Sequence, residues 1–167
     1  MIRKVSLSEW HRMALEGVEI PMRIQVMGVS MYPLIRSRRD HVTIVPVSEK
    51  PRVGDIVLFS DPYSDAHYLL HRVWRDDGDT LLIWGDNNRR PDGLVPLENV
   101  WGKAVLIERG KRRIKTDPVK GMRLAKAWHF FGRGYRFAQR MKWRVLGIFG
   151  KQSRKPEPET VTTGDNQ

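Results

Sequence analysis

Cysteine is absent from this chain, and disulfide bracing, thiolate catalysis and zinc-finger ligation are excluded with it. The absence fits a reducing compartment. Long apolar runs are missing too. No segment approaches the roughly 20 consecutive apolar residues that a bilayer-spanning helix needs. Residues 1–19 interleave Arg3, Lys4, Glu9, His11, Arg12 and Glu16 with apolar side chains, so this segment is not expected to be a signal peptide. Acidic residues are scarce beside basic ones: 19 Asp and Glu against 30 Lys and Arg, a formal net charge of +11. That imbalance points to a polyanionic neighbour, either nucleic acid or an anionic membrane face. No internal repeat is present. At 167 residues the chain can bury a core and most simply forms one domain with appendages. The expected location is the cytoplasm, including the inner face of the membrane.

Ser6-Leu7-Ser8-Glu9 matches a capping box, predicting a short helix that runs to about Glu16 and stops near Gly17. Strands are expected over Arg23 to Met27, His41 to Val47 and Asp55 to Phe59, where apolar and β-branched residues dominate. His67 to Trp74 and Thr80 to Trp84 flank Asp76-Asp77-Gly78-Asp79, a strong hairpin signal. Asn87 to Gly93 reads as a polar loop, and Val100 to Glu108 as a last strand. The fold class is therefore mainly β, with about six short strands in a barrel-like antiparallel sheet. Four segments follow: an N-terminal helix and lead-in (1–22), a β domain (23–110), a basic amphipathic helical extension (111–150) and a disordered tail (151–167).

The stretch Gly28-Val29-Ser30-Met31-Tyr32-Pro33-Leu34-Ile35 organises the rest. Pro33 fixes its own φ and biases Tyr32 away from helix, and Gly28 permits an unusual turn just before the serine. A hydroxyl at a rigid bend beside free backbone N–H groups is what a serine nucleophile requires. Its bland alternative is a turn whose serine bonds its own backbone. A general base is at hand in His71, which shares one strand face with His67, Leu69 and Val73. Asp86 in Gly85-Asp86-Asn87-Asn88, or Asp92 six residues later, could fix the tautomer of such a base. His67 and His71 could together approach a metal, but two histidines without a third ligand are weak evidence. No metal and no cofactor is assigned.

Taken together, these residues resemble the signal peptidase I and LexA-like serine peptidase superfamily. Gly28-Val29-Ser30-Met31-Tyr32-Pro33 looks like its nucleophile box, and Gly54-Asp55-Ile56-Val57-Leu58-Phe59 like its following strand. His71-Arg72-Val73 resembles the base box, Gly85-Asp86-Asn87-Asn88 the later turn and Val100-Trp101-Gly102-Lys103-Ala104-Val105 the closing strand. Five boxes lie in order across residues 24–108. The resemblance implies a coiled β-sheet and hydrolysis of a peptide bond by Ser30. Histidine at the base position, where bacterial members carry lysine, is similar to the endoplasmic-reticulum and archaeal type. In that type an aspartate six residues after the Asp of the turn completes the set. This implies that Asp92 orients His71 while Asp86 supports the loop or the charge. It further implies oxyanion and substrate contacts at Gly28, Met31 and Pro33, and a peptide or protein substrate bound as an added strand. Three departures stand out. Arg39-Asp40 replaces the usual Gly-Asp, Gly28 stands where many bacterial relatives place a serine hydroxyl, and the usual membrane anchor is not found.

Residues 111–155 hold fifteen Lys or Arg against one acid, Asp117. Within them Leu124, Trp128, Phe131, Tyr135 and Ala138 recur at helical steps, and Trp143, Val145, Leu146, Ile148 and Phe149 form a second apolar patch. Two helices packed on the β domain with a solvated basic face would explain the pattern. So would attachment to an anionic membrane surface; nucleic acid is the weaker alternative. The expected function is a serine endopeptidase that cuts a leader or signal-like peptide. The other classes are a catalytically silent peptide-binding module of the same fold and a peripheral membrane or polyanion-binding protein. A LexA-like repressor is not expected, because about 25 residues ahead of the peptidase boxes are too few for a DNA-binding domain.

Overall fold

Ser6 starts the first helix as its sequence suggests: its hydroxyl accepts the Glu9 N–H at 3.1 Å, satisfying one of the orphan donors of the first turn. In the computed structural model, which describes residues 6–62 and 68–131, this helix (α1) spans Leu7–Leu15. Gly17, at φ +83°, follows its end. Trp10 is the buried anchor of α1, with its indole N–H donating to Ile20 C=O at 2.7 Å.

Eight strands follow: β1 (Met22–Gln25), β2 (Asp40–Pro46), β3 (Ile56–Ser60), β4 (Tyr68–Asp76), β5 (Thr80–Trp84), β6 (Gly93–Pro96), β7 (Val100–Arg109) and β8 (Arg112–Lys115). They form one antiparallel sheet in the order β1-β2-β7-β3-β4-β5-β6, with β8 on β7. The molecule is thus mainly β, but the barrel-like closure expected from the strand pattern is not formed. Closure requires the first and last strands to pair, whereas β1 and β6 are four residues each and remain the two edges. Bends come instead from register shifts at Thr43/Ile44, Leu58/Phe59 and Val73/Arg75, each of which twists the sheet locally.

The side-chain period of two distributes the core over both faces. Ile56 and Leu58 of β3 pack with Met31, Ile35, Ile44 and Ile107 on one face. Val57 and Phe59 pack with Val73, Ile83 and Val95 on the other. A strand apolar on both sides has to be central, as β3 is. The same alternation sends His71, opposite Val57, and Arg72, opposite Ile56, to different faces.

The segment expected as a helical extension begins differently. Arg112–Lys115 is strand β8, paired to Leu106–Arg109 of β7, so the β domain continues past residue 110. A second helix (α2) occupies 118–131, capped by the Asp117 carboxylate, which accepts the Lys120 N–H at 2.9 Å. Gly121, Met122 and Ala125 are its buried residues. Leu124 and Phe131, expected on the packed stripe, are 43% and 72% exposed. The rotation has a steric cause: a Cβ on Gly121 would lie 2.5 Å from Arg72 Nη1, so Gly121 is the residue that faces the sheet there. Residues 132–150, with Tyr135, Ala138 and the Trp143 to Phe149 patch, lie outside the described residues, as do His67 and the tail. No helix among the described residues is long and apolar enough to cross a membrane.

Candidate active site

The turn that carries Ser30 is anchored by its own apolar residues. Met31 and Ile35 are 2% and 1% exposed in the first core cluster, and Ile35 N–H donates to Met31 C=O at 2.9 Å. Met31, expected to meet substrate, has its side chain in that core instead. Gly28 takes φ +91°, a conformation that favours glycine, and its N–H donates to Ser37 Oγ at 3.1 Å. The Tyr32–Pro33 peptide is cis.

Behind the turn, fully buried Asp40 accepts Arg36 N–H at 2.9 Å and two guanidinium nitrogens of Arg109. Arg109 also donates to Leu34 C=O at 2.7 Å. Burial alone would raise the Asp40 pKa. The Arg109 and Arg36 hydrogen bonds and positive charges outweigh it and hold the carboxyl below its ordinary value.

His71 comes from β4. His71 is 3% exposed, with Phe59 beside its ring at a centroid distance of 6.1 Å. Its Nδ1 lies 2.6 Å from Asp92 Oδ2 and its Nε2 lies 2.7 Å from Ser30 Oγ. A carboxylate can only accept, so Nδ1 carries the proton and Nε2 is left to accept from the serine hydroxyl. Three side chains separated by 41 and 21 residues along the chain thus form one hydrogen-bonded line. Asp92 is placed by its own backbone, whose N–H donates to Ile83 C=O at 3.0 Å. Asn88 Nδ2 approaches its second oxygen at 3.5 Å.

Asp86 sits on the opposite side of the sheet from the imidazole. It forms a two-point pair with Arg72 at 2.8 and 2.7 Å, both side chains being 1% exposed. Arg72 completes its bonding to Gly54 C=O at 2.7 Å. Of the two aspartates left open by the sequence, Asp92 meets His71 and Asp86 locks the turn that follows β5. Gly85 fits because a Cβ there would come within 2.8 Å of the Asn88 amide and 3.1 Å of His71 Cδ2.

Among the described residues, the N–H groups of Ser30 and Met31 donate to no acceptor. Asn87, which the sequence marks only as a member of the turn, donates its backbone N–H to Ser30 C=O at 2.6 Å. No local signal marks that contact, since the partners are far apart in the chain. Compared with known proteins, the chain matches no family model and no curated protein.

Proposed function

We propose that the protein is a serine endopeptidase of the signal peptidase/LexA-like kind, with Ser30 as nucleophile, His71 as general base and Asp92 as the group that orients the base. The observation that supports this reading is the continuous line Ser30 Oγ–His71–Asp92, with separations of 2.7 and 2.6 Å. In the reaction, His71 Nε2 takes the hydroxyl proton as Ser30 Oγ attacks the scissile carbonyl. The ring becomes imidazolium, and Asp92 stabilises that charge through the Nδ1–H bond. Negative charge on the carbonyl oxygen is received by the Ser30 backbone N–H. Collapse of the tetrahedral intermediate expels the amine, which leaves with the proton from Nε2. Water, activated by the same nitrogen, then hydrolyses the acyl-enzyme. The substrate binds in extended form along β1, whose outer edge pairs with no strand among the described residues and which leads directly into the Gly28 to Ser30 bend.

A denatured-proteome peptide library incubated with the protein and with Ser30→Ala and His71→Ala tests the proposal. Cleavage by the wild type and none by either variant is expected. Equal cleavage by wild type and Ser30→Ala would overturn it, and a library bound but never cut would favour the silent peptide-binding module.

A further inference from the structure

We infer that α2 is part of the active-site machinery, with Trp128 and Asn87 acting as positioning residues for the nucleophile turn. This inference rests on the peptidase reading above for its catalytic consequence, though not for its structural content.

Four contacts carry it. Trp128 Nε1–H donates to Asn87 Oδ1 at 3.2 Å. The same Asn87 amide donates from Nδ2 to Val29 C=O at 3.1 Å, and its backbone N–H donates to Ser30 C=O at 2.6 Å. Finally, the Trp128 ring meets the edge of Tyr32 at a centroid distance of 5.4 Å. Asn87 thus grips two successive carbonyls around the nucleophile, and the indole grips Asn87.

The chemistry of the side-chain amide explains why asparagine serves here. Holding Val29 C=O requires a donor, while receiving the indole N–H requires an acceptor. An amide supplies both at a fixed separation. Aspartate would set a carboxylate oxygen against the Val29 carbonyl. The indole bond also chooses which end of the amide faces the turn. Val29 is itself 64% exposed, so the upper side of this turn has little apolar packing to hold it. Hydrogen bonds from the Asn87 turn do that work, and α2 pins them in place. Farther along the helix, His129 packs on Trp74 and Trp84 at 5.0 and 4.4 Å, and the Trp84 indole donates to Asn88 C=O at 3.2 Å. The helix therefore braces the Gly85 to Asn88 turn at two successive residues.

The test compares Trp128→Phe, which keeps a ring but loses the N–H, with Asn87→Asp and with Met122→Ala, a packing change on the same helix that leaves Asn87 untouched. Two readouts are taken on the full chain at a temperature where every variant is folded. The first is inactivation by an alkyl fluorophosphonate, resolved into the maximal rate and the half-saturating concentration. The second is residue-level amide hydrogen exchange at Asn87 and Tyr32. Trp128→Phe and Asn87→Asp are expected to lower the maximal rate about 10- to 100-fold, the cost of a nucleophile displaced by a fraction of an ångström to an ångström. Half-saturation should hardly move, and exchange at Asn87 should quicken. Met122→Ala should lower melting temperature without either effect. An equal rate loss in Met122→Ala would overturn the inference, as would unchanged exchange in Trp128→Phe. A wild type that never reacts, combined with quickened exchange only in the two relay variants, would sink the peptidase reading and leave the positioning role standing.

Discussion

Asp86 and Asp92 follow the same hairpin six residues apart, yet their environments predict opposite phenotypes. Asp86→Asn removes one charge from a pair in which both side chains are 1% exposed. The Arg72 guanidinium then stays buried with its charge uncompensated, bonded only to a neutral amide and to Gly54 C=O. Breaking a buried pair from one side typically costs about 3–5 kcal/mol. With a urea slope of roughly 2 kcal/mol per molar, the unfolding midpoint should fall by about 2 M. Replacing both partners, as Arg72→Met with Asp86→Leu, should recover much of that loss, because no charge is left stranded.

Asp92→Asn acts elsewhere. Its side chain is 17% exposed and near water, so stability should change by about 1 kcal/mol or less. The imidazole, however, loses the acceptor that keeps the proton on Nδ1. An amide can donate to that nitrogen and thereby favour the wrong tautomer, a change that costs about 10⁴-fold in rate in a serine–histidine–aspartate set. Urea unfolding and fluorophosphonate labelling of the same preparations separate the two. The reasoning fails if Asp86→Asn is stable but unreactive while Asp92→Asn unfolds early and still labels at the wild-type rate.

Asp40 makes stability sensitive to acid. Its folded-state pKa lies below the ordinary carboxylate value of 3.8, so the unfolded chain binds more protons between the two values. Its contribution is therefore complete above about pH 4 and is lost as pH falls through the folded-state value. The stability gap between wild type and Asp40→Asn, measured by urea titration, should be constant from pH 5 to 7 and shrink below 4; a gap that widens in acid would contradict this. Gly85→Ala brings a methyl to within 3.1 Å of His71 Cδ2. It should slow phosphonate labelling by about 10-fold or more with a stability loss of roughly 1–3 kcal/mol, and unaltered labelling would show that the ring has room to move.

How much of this was legible in the sequence varied with how local the cause was. Ser6 and Glu9 mark the start of α1 because a cap needs only four residues. Asp76 to Asp79 mark the β4–β5 turn for the same reason. Strand β8 was hidden: Arg112-Arg113-Ile114-Lys115 offers one apolar residue, and its pairing with β7 is specified by the partner strand. Strand β6, Gly93-Leu94-Val95-Pro96, is hidden by its shortness and by the polar run that precedes it. Openness of the sheet depends on which two strands fail to meet, and no local pattern records that.

At the site, Ser30 and His71 stand out by residue type and by the bend around Pro33. The division of labour between Asp86 and Asp92 was not readable from residue type alone. It depends on Arg72 drawing one carboxylate to its own face of β4, while the Asp92 N–H bond to Ile83 C=O delivers the other to the imidazole. The inner face of α2 departs from its apolar periodicity because a guanidinium, not an apolar surface, lies beneath Gly121.

The proposed chemistry comes down to one reaction at one oxygen, Ser30 Oγ. Intact-mass and peptide-mapping mass spectrometry after treatment with an alkyl fluorophosphonate should find a single adduct, on Ser30, in the wild type and none in His71→Ala. An adduct elsewhere, or one that forms on Ser30 equally fast without the imidazole, would contradict it.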